Sequence, residues 1–175
     1  MGKITIKSSG SQTGSSQIGW GASYWQYFTN LDKVETQGGP LKIKKELYLK
    51  NTDNTLIPIT LRKIAVGDRI TSRLVITTDR TLEFVALKDL RAACLEPVNQ
   101  QSGYVWRDGI GYYQTTKDAS TQFFLYHLPK GTYVFEYDQF VNNSGEFASG
   151  IASLQCLYAP EFNAHSKGER IIIGK

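Results

Sequence analysis

The sequence predicts an all-β fold, an antiparallel immunoglobulin-like β-sandwich, on three observations. Short runs with period-two alternation recur between turn signals along most of the 175 residues. β-branched and aromatic residues concentrate in those runs. Helix signals are nearly missing: the one helix-like stretch, Leu87 to Ala93, lacks a cap and runs into Glu96-Pro97, so it reads as strand and loop.

Taken in order, Lys3 to Lys7 alternates like a strand, and the Ser- and Gly-rich stretch from Ser8 to Gly21 reads as a mobile loop. Tyr24 to Phe28 has the aromatic enrichment of a second strand, and Gln37-Gly38-Gly39-Pro40 then breaks the pattern. In Leu41 to Lys50, residues Leu41, Ile43, Leu47 and Leu49 share one parity while Lys42, Lys44, Glu46 and Lys50 share the other. The lysine cluster, Lys45 included, reads as a solvated face or one that protects an edge strand. Further strands are expected at Arg69 to Thr77, Leu82 to Leu87, Gln122 to Leu128, Thr132 to Val141 and Phe147 to Tyr158. Turn chemistry separates them at Val66-Gly67-Asp68, Asp108-Gly109, Pro129-Lys130-Gly131 and Asn143-Ser144-Gly145, with hairpins expected at the last two. Leu74, Ile76, Phe84, Phe123, Leu125, Phe135, Leu154 and Cys156 are the expected core.

Composition bounds the function. With 41% apolar and 21% charged residues the chain can bury a core large enough to fold. Its net charge of +4 is small and its bases are scattered, so a nucleic-acid partner is not expected. No apolar run reaches membrane-span length, and Met1-Gly2-Lys3 begins no signal peptide, so the chain looks like a piece of something longer. Two cysteines, Cys94 and Cys156, leave room for one bridge but supply no disulfide framework.

Catalysis needs a base, a nucleophile or a metal cluster. His127 shares strand parity with Phe123 and Leu125 and reads as packed or at a rim, while His165 sits in a polar turn and reads as solvated. Neither has a partner at metal-ligand spacing, so no metal and no cofactor are expected. Cys156, in parity with Leu154 and Tyr158, reads as a buried inert thiol. Gly109-Ile110-Gly111 is only half of a dinucleotide fingerprint and no helix follows. Asn142-Asn143-Ser144 matches a glycosylation acceptor but reads as turn chemistry. The serious binding candidate is the aromatic group Tyr104, Trp106, Tyr112 and Tyr113: stacked in the ends of the core it is architectural, and exposed it is a ligand platform for sugars. Packing is the expected role, with a carbohydrate-binding sandwich as the alternative.

From Trp25 onward the sequence resembles the C-terminal, macroglobulin-like end of bacterial alpha-2-macroglobulin-type proteins. The resemblance rests on Tyr24 to Phe28 with Leu31-Asp32-Lys33, Lys45-Glu46-Leu47, Val66-Gly67-Asp68, Leu87 to Ala92 and Glu96-Pro97. It continues through Ser102-Gly103-Tyr104 with Trp106, Asp108 to Tyr113, Lys117 to Thr121, Leu128 to Tyr133, and Tyr158 to Phe162.

The resemblance implies a macroglobulin-type sandwich over residues 34–175, with residues 1–33 as the end of a CUB-like module. It implies a non-catalytic structural and interaction domain of a protease trap, an endopeptidase inhibitor of the bacterial cell envelope. Such a parent would be periplasmic or surface-exposed and held by a lipid anchor. The implied partners are the other domains of that parent, above all its thioester domain, and proteases through the parent. The family's thioester joins a cysteine to a glutamine in a Cys-Gly-Glu-Gln-type motif. Cys94-Leu95-Glu96-Pro97 echoes the spacing, but Pro97 has no side-chain amide to donate, so the thioester is expected outside this chain.

Overall fold

The computed structural model describes residues 5, 21, 24 and 26–174. The expected strand Lys3–Lys7 and the Ser/Gly stretch fall almost wholly outside them. Strands form wherever inward apolar residues alternate: β1 (Leu41–Lys50), β2 (Leu56–Pro58), β3 (Ile64–Ala65), β4 (Arg69–Thr78), β5 (Leu82–Leu90), β6 (Leu95–Pro97), β7 (Gly103–Arg107) and β8 (Ile110–Lys117). They continue with β9 (Ser120–Leu128), β10 (Gly131–Val141), β11 (Gly145–Ala148), β12 (Ala152–Cys156), β13 (Asn163–His165) and β14 (Arg170–Gly174). Single 3-10 turns occupy Leu31–Lys33 and Ile59–Leu61.

Two antiparallel sheets face each other, in the orders β2-β1-β4-β10-β6 and β13-β12-β5-β9-β8-β7. A small sheet, β11-β14-β3, closes one end, where β14 and β3 run parallel. This is the expected all-β sandwich. The Leu31–Lys33 turn is tied to it: Arg170 pairs with Asp32 at 2.8 Å, and Gln37 bridges to His165.

The structure departs from several local expectations. Pro129-Lys130-Gly131 and Asn143-Ser144-Gly145 are not hairpins. β9 and β10 lie in opposite sheets, and β10 leads into β11 of the end sheet, because β10 pairs with β4 and β6 instead. The run Phe147 to Tyr158 is two strands, because the chain bends at Gly150, whose φ of +72° and close approach to Leu90 O exclude a side chain. Tyr24 and Gln26 to Phe28 form no strand, and Tyr24, Tyr27 and Phe28 are exposed, since no described strand lies beside them. Of the expected core, seven residues are buried and Phe84 is only partly buried, with its ring on the outer face.

Lys45 departs from expectation as well. It does not join Lys42 and Lys44 on the solvated face but shares the inward parity of Ile43 and Leu47, and is 8% exposed. Its ammonium donates to Asp89 Oδ1 of the opposite sheet at 2.6 Å, to Leu90 O at 2.7 Å and to Ser149 O at 3.0 Å. Asp89 is wholly buried, and its Oδ2 accepts from the Tyr137 hydroxyl at 2.6 Å. All three N–H groups of the ammonium are thereby used, which is what a buried charge needs.

Around this pair runs an oblique polar belt: Lys45, Ser72, Tyr137 and Gln139 from one sheet, Asp89 and Thr121 from the other. It separates two apolar clusters. One holds Leu41, Ile43, Leu74, Ile76, Val85, Leu87, Phe123, Leu125 and Phe135. The other holds Leu47, Leu49, Ile70, Cys94, Leu95 and Val141 under the end sheet.

Burial, then the neighbouring Asp89 carboxylate, push the Tyr137 phenol well above its ordinary value. A folded-state value raised above the unfolded one means that stability is fully present below the unfolded pKa, about 10, and is lost as pH rises past it. The urea midpoint should therefore decline above about pH 10, and Tyr137→Phe should flatten that decline; an identical alkaline profile for both proteins would show that Tyr137 is not its source.

Candidate functional site

The two outer faces of the sandwich differ in kind. On the five-stranded sheet, alternate residues of β1, β4 and β10 present charges that pair in place: Lys44 with Glu46, Lys50 with Asp138 and Arg73 with Glu136. Arg73 also lies over Tyr48 and Arg69 over Phe140, 4.8 and 5.1 Å from the ring centres. Asp138 is partly buried, which alone would raise its carboxyl, but bonds from Lys50 and Thr71 outweigh this and hold it below the usual range.

The outer face of the six-stranded sheet is aromatic. Strand register lines up one row across all six strands: Tyr104, Tyr113, Phe124, Ala86, Gln155 and Asn163. A second row holds Thr115, Gln122, Lys88, Ser153 and His165. Where the rows pass over the small Ala86 side chain they leave a shallow depression of about 470 Å³, edged by Phe124, Gln155 and His165. On the other side of the first row stand Trp106 on β7, Tyr126 on β9, Phe84 on β5 and, just past β12, Tyr158. Tyr104, Trp106, Tyr126 and Tyr158 are 87, 78, 68 and 79% exposed. The rings touch in two groups, Tyr104 with Tyr113 and Phe84 with Tyr126 and Tyr158, and large aromatic surface left to water on a monomer often marks an interaction site.

Each ring is held by local geometry. Asp108 and Gly109 make a two-residue loop with φ of 53° and 78°, both positive as a type I′ hairpin turn requires, and this fixes the register of β7 on β8. Trp106 then lies opposite Gly111, and a Cβ there would meet the indole at 2.7 Å, so glycine lets the ring lie on the sheet. Tyr104 leans edge-on against Tyr113 at 5.3 Å.

The sequence-derived group Tyr104, Trp106, Tyr112 and Tyr113 therefore divides. Tyr104, Trp106 and Tyr113 share the outer face. Tyr112, on the opposite parity of β8, is 5% exposed and packs in the core against Phe123 and Phe135 at 5.7 and 5.1 Å. Packing was expected for Trp106 as well, and its exposure corrects that. Sequence reasoning missed Phe84, Phe124, Tyr126 and Tyr158; parity alone could have placed Phe124 and Tyr126 opposite Phe123 and Leu125.

The groups that could carry chemistry are used otherwise. His165 lies in β13, not in a turn, with its ring 3.0 Å from Gln37 Oε1. His127 is exposed, because the inward parity of β9 shifts between Leu125 and Leu128. Both cysteines are free and buried, and burial pushes the Cys94 thiol up, away from thiolate character. Cys94-Leu95-Glu96-Pro97 enters strand β6, with Pro97 opposite Gln139. Among the described residues no cluster of metal-binding side chains occurs, and no helix is long and apolar enough to cross a membrane.

Residues 41–161 match the family described as the bacterial alpha-2-macroglobulin MG10 domain. Among solved structures, the chain resembles Salmonella alpha-2-macroglobulin reacted with methylamine, with a TM-score of 0.64 at 17% identity over 81% of this chain and 10% of that one. It resembles Escherichia coli alpha-2-macroglobulin activated by porcine elastase, with a TM-score of 0.67 at 15% identity over 81% of this chain and 14% of that one. A native E. coli fragment from domain MG7 to the C-terminus matches with a TM-score of 0.64 at 13% identity, over 80% of this chain and 24% of that one. The chain thus spans about a tenth of the length of the whole macroglobulin it matches. No curated protein matches it.

The buried and exposed aromatic environments separate by mutation. Tyr112→Ala should cost about 3 to 5 kcal/mol in urea unfolding, as removal of a buried aromatic does. Trp106→Ala should cost about 1 kcal/mol or less, as exposed positions do. Equal losses would show that the indole is a core residue.

Proposed function

Because the chain belongs to the bacterial alpha-2-macroglobulin MG10 family, we propose that it is a non-catalytic structural and docking domain of a protease trap. In this reading the parent's thioester lies outside the chain. The exposed aromatic face of the six-stranded sheet carries the proposal. Interface centres are enriched in Tyr, Trp and Phe, and this face is rich in exposed rings while the opposite face carries ion pairs. The domain's role is to hold and cover the thioester-bearing domain until a protease cuts the parent. Its partners are the parent's other domains, and proteases only through the parent. Residues 1–33 would belong to a preceding CUB-like module, and the parent would sit in the cell envelope, periplasmic or surface-exposed on a lipid anchor.

One observation favours a second reading, a carbohydrate-binding sandwich: Trp106 lies on Gly111 and is 78% exposed, as a sugar-stacking ring would be. A single set of measurements separates the two. The reading frame that encodes this chain should also encode a thioester motif, and the purified chain should bind the thioester-bearing segment in calorimetry. Trp106→Ala should weaken that binding at unchanged melting temperature. A reading frame without a thioester segment, or a glycan-array signal lost in Trp106→Ala, would move the protein out of the trap.

A further inference from the structure

Phe84 has a φ of +53°, a left-handed conformation that a bulky side chain seldom adopts. The surrounding ladder is intact: Leu82 faces Leu128, Glu83 faces His127 and Val85 faces Leu125, and only the rung between Phe84 and Tyr126 is unpaired. Inward parity shifts across this rung on both strands, from Leu82 to Val85 on β5 and from Leu128 to Leu125 on β9.

That shift decides where an aromatic ring goes. With regular alternation from Leu82, Phe84 would point into the core; the left-handed residue turns the ring out and leaves Val85 to fill the interior. The core beneath does not need it, since Leu82, Val85, Leu125 and Leu128 are all buried there. On the outer side Phe84 meets Tyr126 edge-on at 4.7 Å and Tyr158 edge-on at 4.9 Å. Leu157 N donates to Phe84 O at 2.9 Å, and Cys156 Sγ to Glu83 O at 3.1 Å, so the turn that carries Tyr158 is pinned to the strained rung. The parity shift keeps Leu82, Val85, Leu125 and Leu128 all inward, and it leaves on the outer side an aromatic ring on a strained backbone, a combination that clusters at binding sites.

Resting on the docking reading, we propose that Phe84, Tyr126 and Tyr158 form the anchor of the docking face and receive an apolar, uncharged patch of another domain of the same parent. Two observations select that occupant. The three rings bring no charge of their own and stand beside 53%-exposed Leu157, so an apolar surface complements them, with exposed Glu83 and His127 on the next rung as a polar rim. The chain corresponds to about a tenth of a matching macroglobulin, so most of such a parent is available as a partner in the same chain.

Glycine accepts the left-handed φ without strain, and this gives a signature that a purely structural residue would not show. Phe84→Gly trades that strain against two lost ring contacts, so the melting temperature should change little while binding to the parent chain lacking this domain weakens by about tenfold or more, as loss of an anchor residue does. Tyr158→Ala, beyond the end of β12, should weaken binding at unchanged melting temperature. If Phe84→Gly lowers the melting temperature sharply and both variants bind normally, the trio is architectural and the proposal fails. If wild type binds, Trp106→Ala weakens it and these two do not, the docking reading stands and the anchor lies elsewhere. If wild type does not bind, both fall.

Discussion

A lysine ammonium and an aspartate carboxylate, both withdrawn from water, meet between the two sheets of this sandwich. Lys45 comes from β1 and Asp89 from β5, so the pair joins strands of opposite sheets at 2.6 Å. Apolar side chains tolerate small slips between packed layers, whereas a buried ion pair does not. Removing one partner alone costs about 3 to 5 kcal/mol, because the other charge is left unpaired. A hydrophobic pair of similar volume could match the net stability. What the ions add is a fixed relation between the sheets, since Lys45 must also reach Leu90 O and Ser149 O while Asp89 receives Tyr137. β1 takes β2 only at Tyr48, Leu49 and Lys50, and an inward charge on so exposed a strand also discourages pairing with foreign edges.

With the sheets held from inside, their outer surfaces are free to diverge. The five-stranded sheet spends its outer residues on ion pairs with one another, each worth little individually on an exposed surface. The six-stranded sheet does the reverse and offers uncharged rings that lean on one another, among them a phenylalanine with a positive φ. An interior that is over-determined can carry such a strained residue.

The sequence made the strands legible and left their partners hidden. Alternation alone located β1, β4, β9 and β10 nearly to the residue, because side-chain direction repeats every two residues whatever the neighbours are. Local turn chemistry could not tell a hairpin from a crossing between sheets: Pro129-Lys130-Gly131 looks the same whether β10 returns beside β9 or pairs with β4 some sixty residues earlier. Lys45 was misplaced for the same reason, since only Asp89, 44 positions away, makes its inward direction tolerable. In the aromatic group, parity was enough to separate Tyr112 from Tyr113 but said nothing of which face would be covered. Phe84 left no local trace, because nothing in its type announces a positive φ.

The account turns on the aromatic face being an interface inside a larger chain. Covalent footprinting of tyrosine and tryptophan tests this most directly, by comparing the isolated chain with the full parent. Tyr104, Trp106, Tyr126 and Tyr158 should label readily in isolation and be protected in the parent, while Tyr48 on the ionic face labels alike in both. Equal labelling of the four aromatic positions in the two forms would contradict the account.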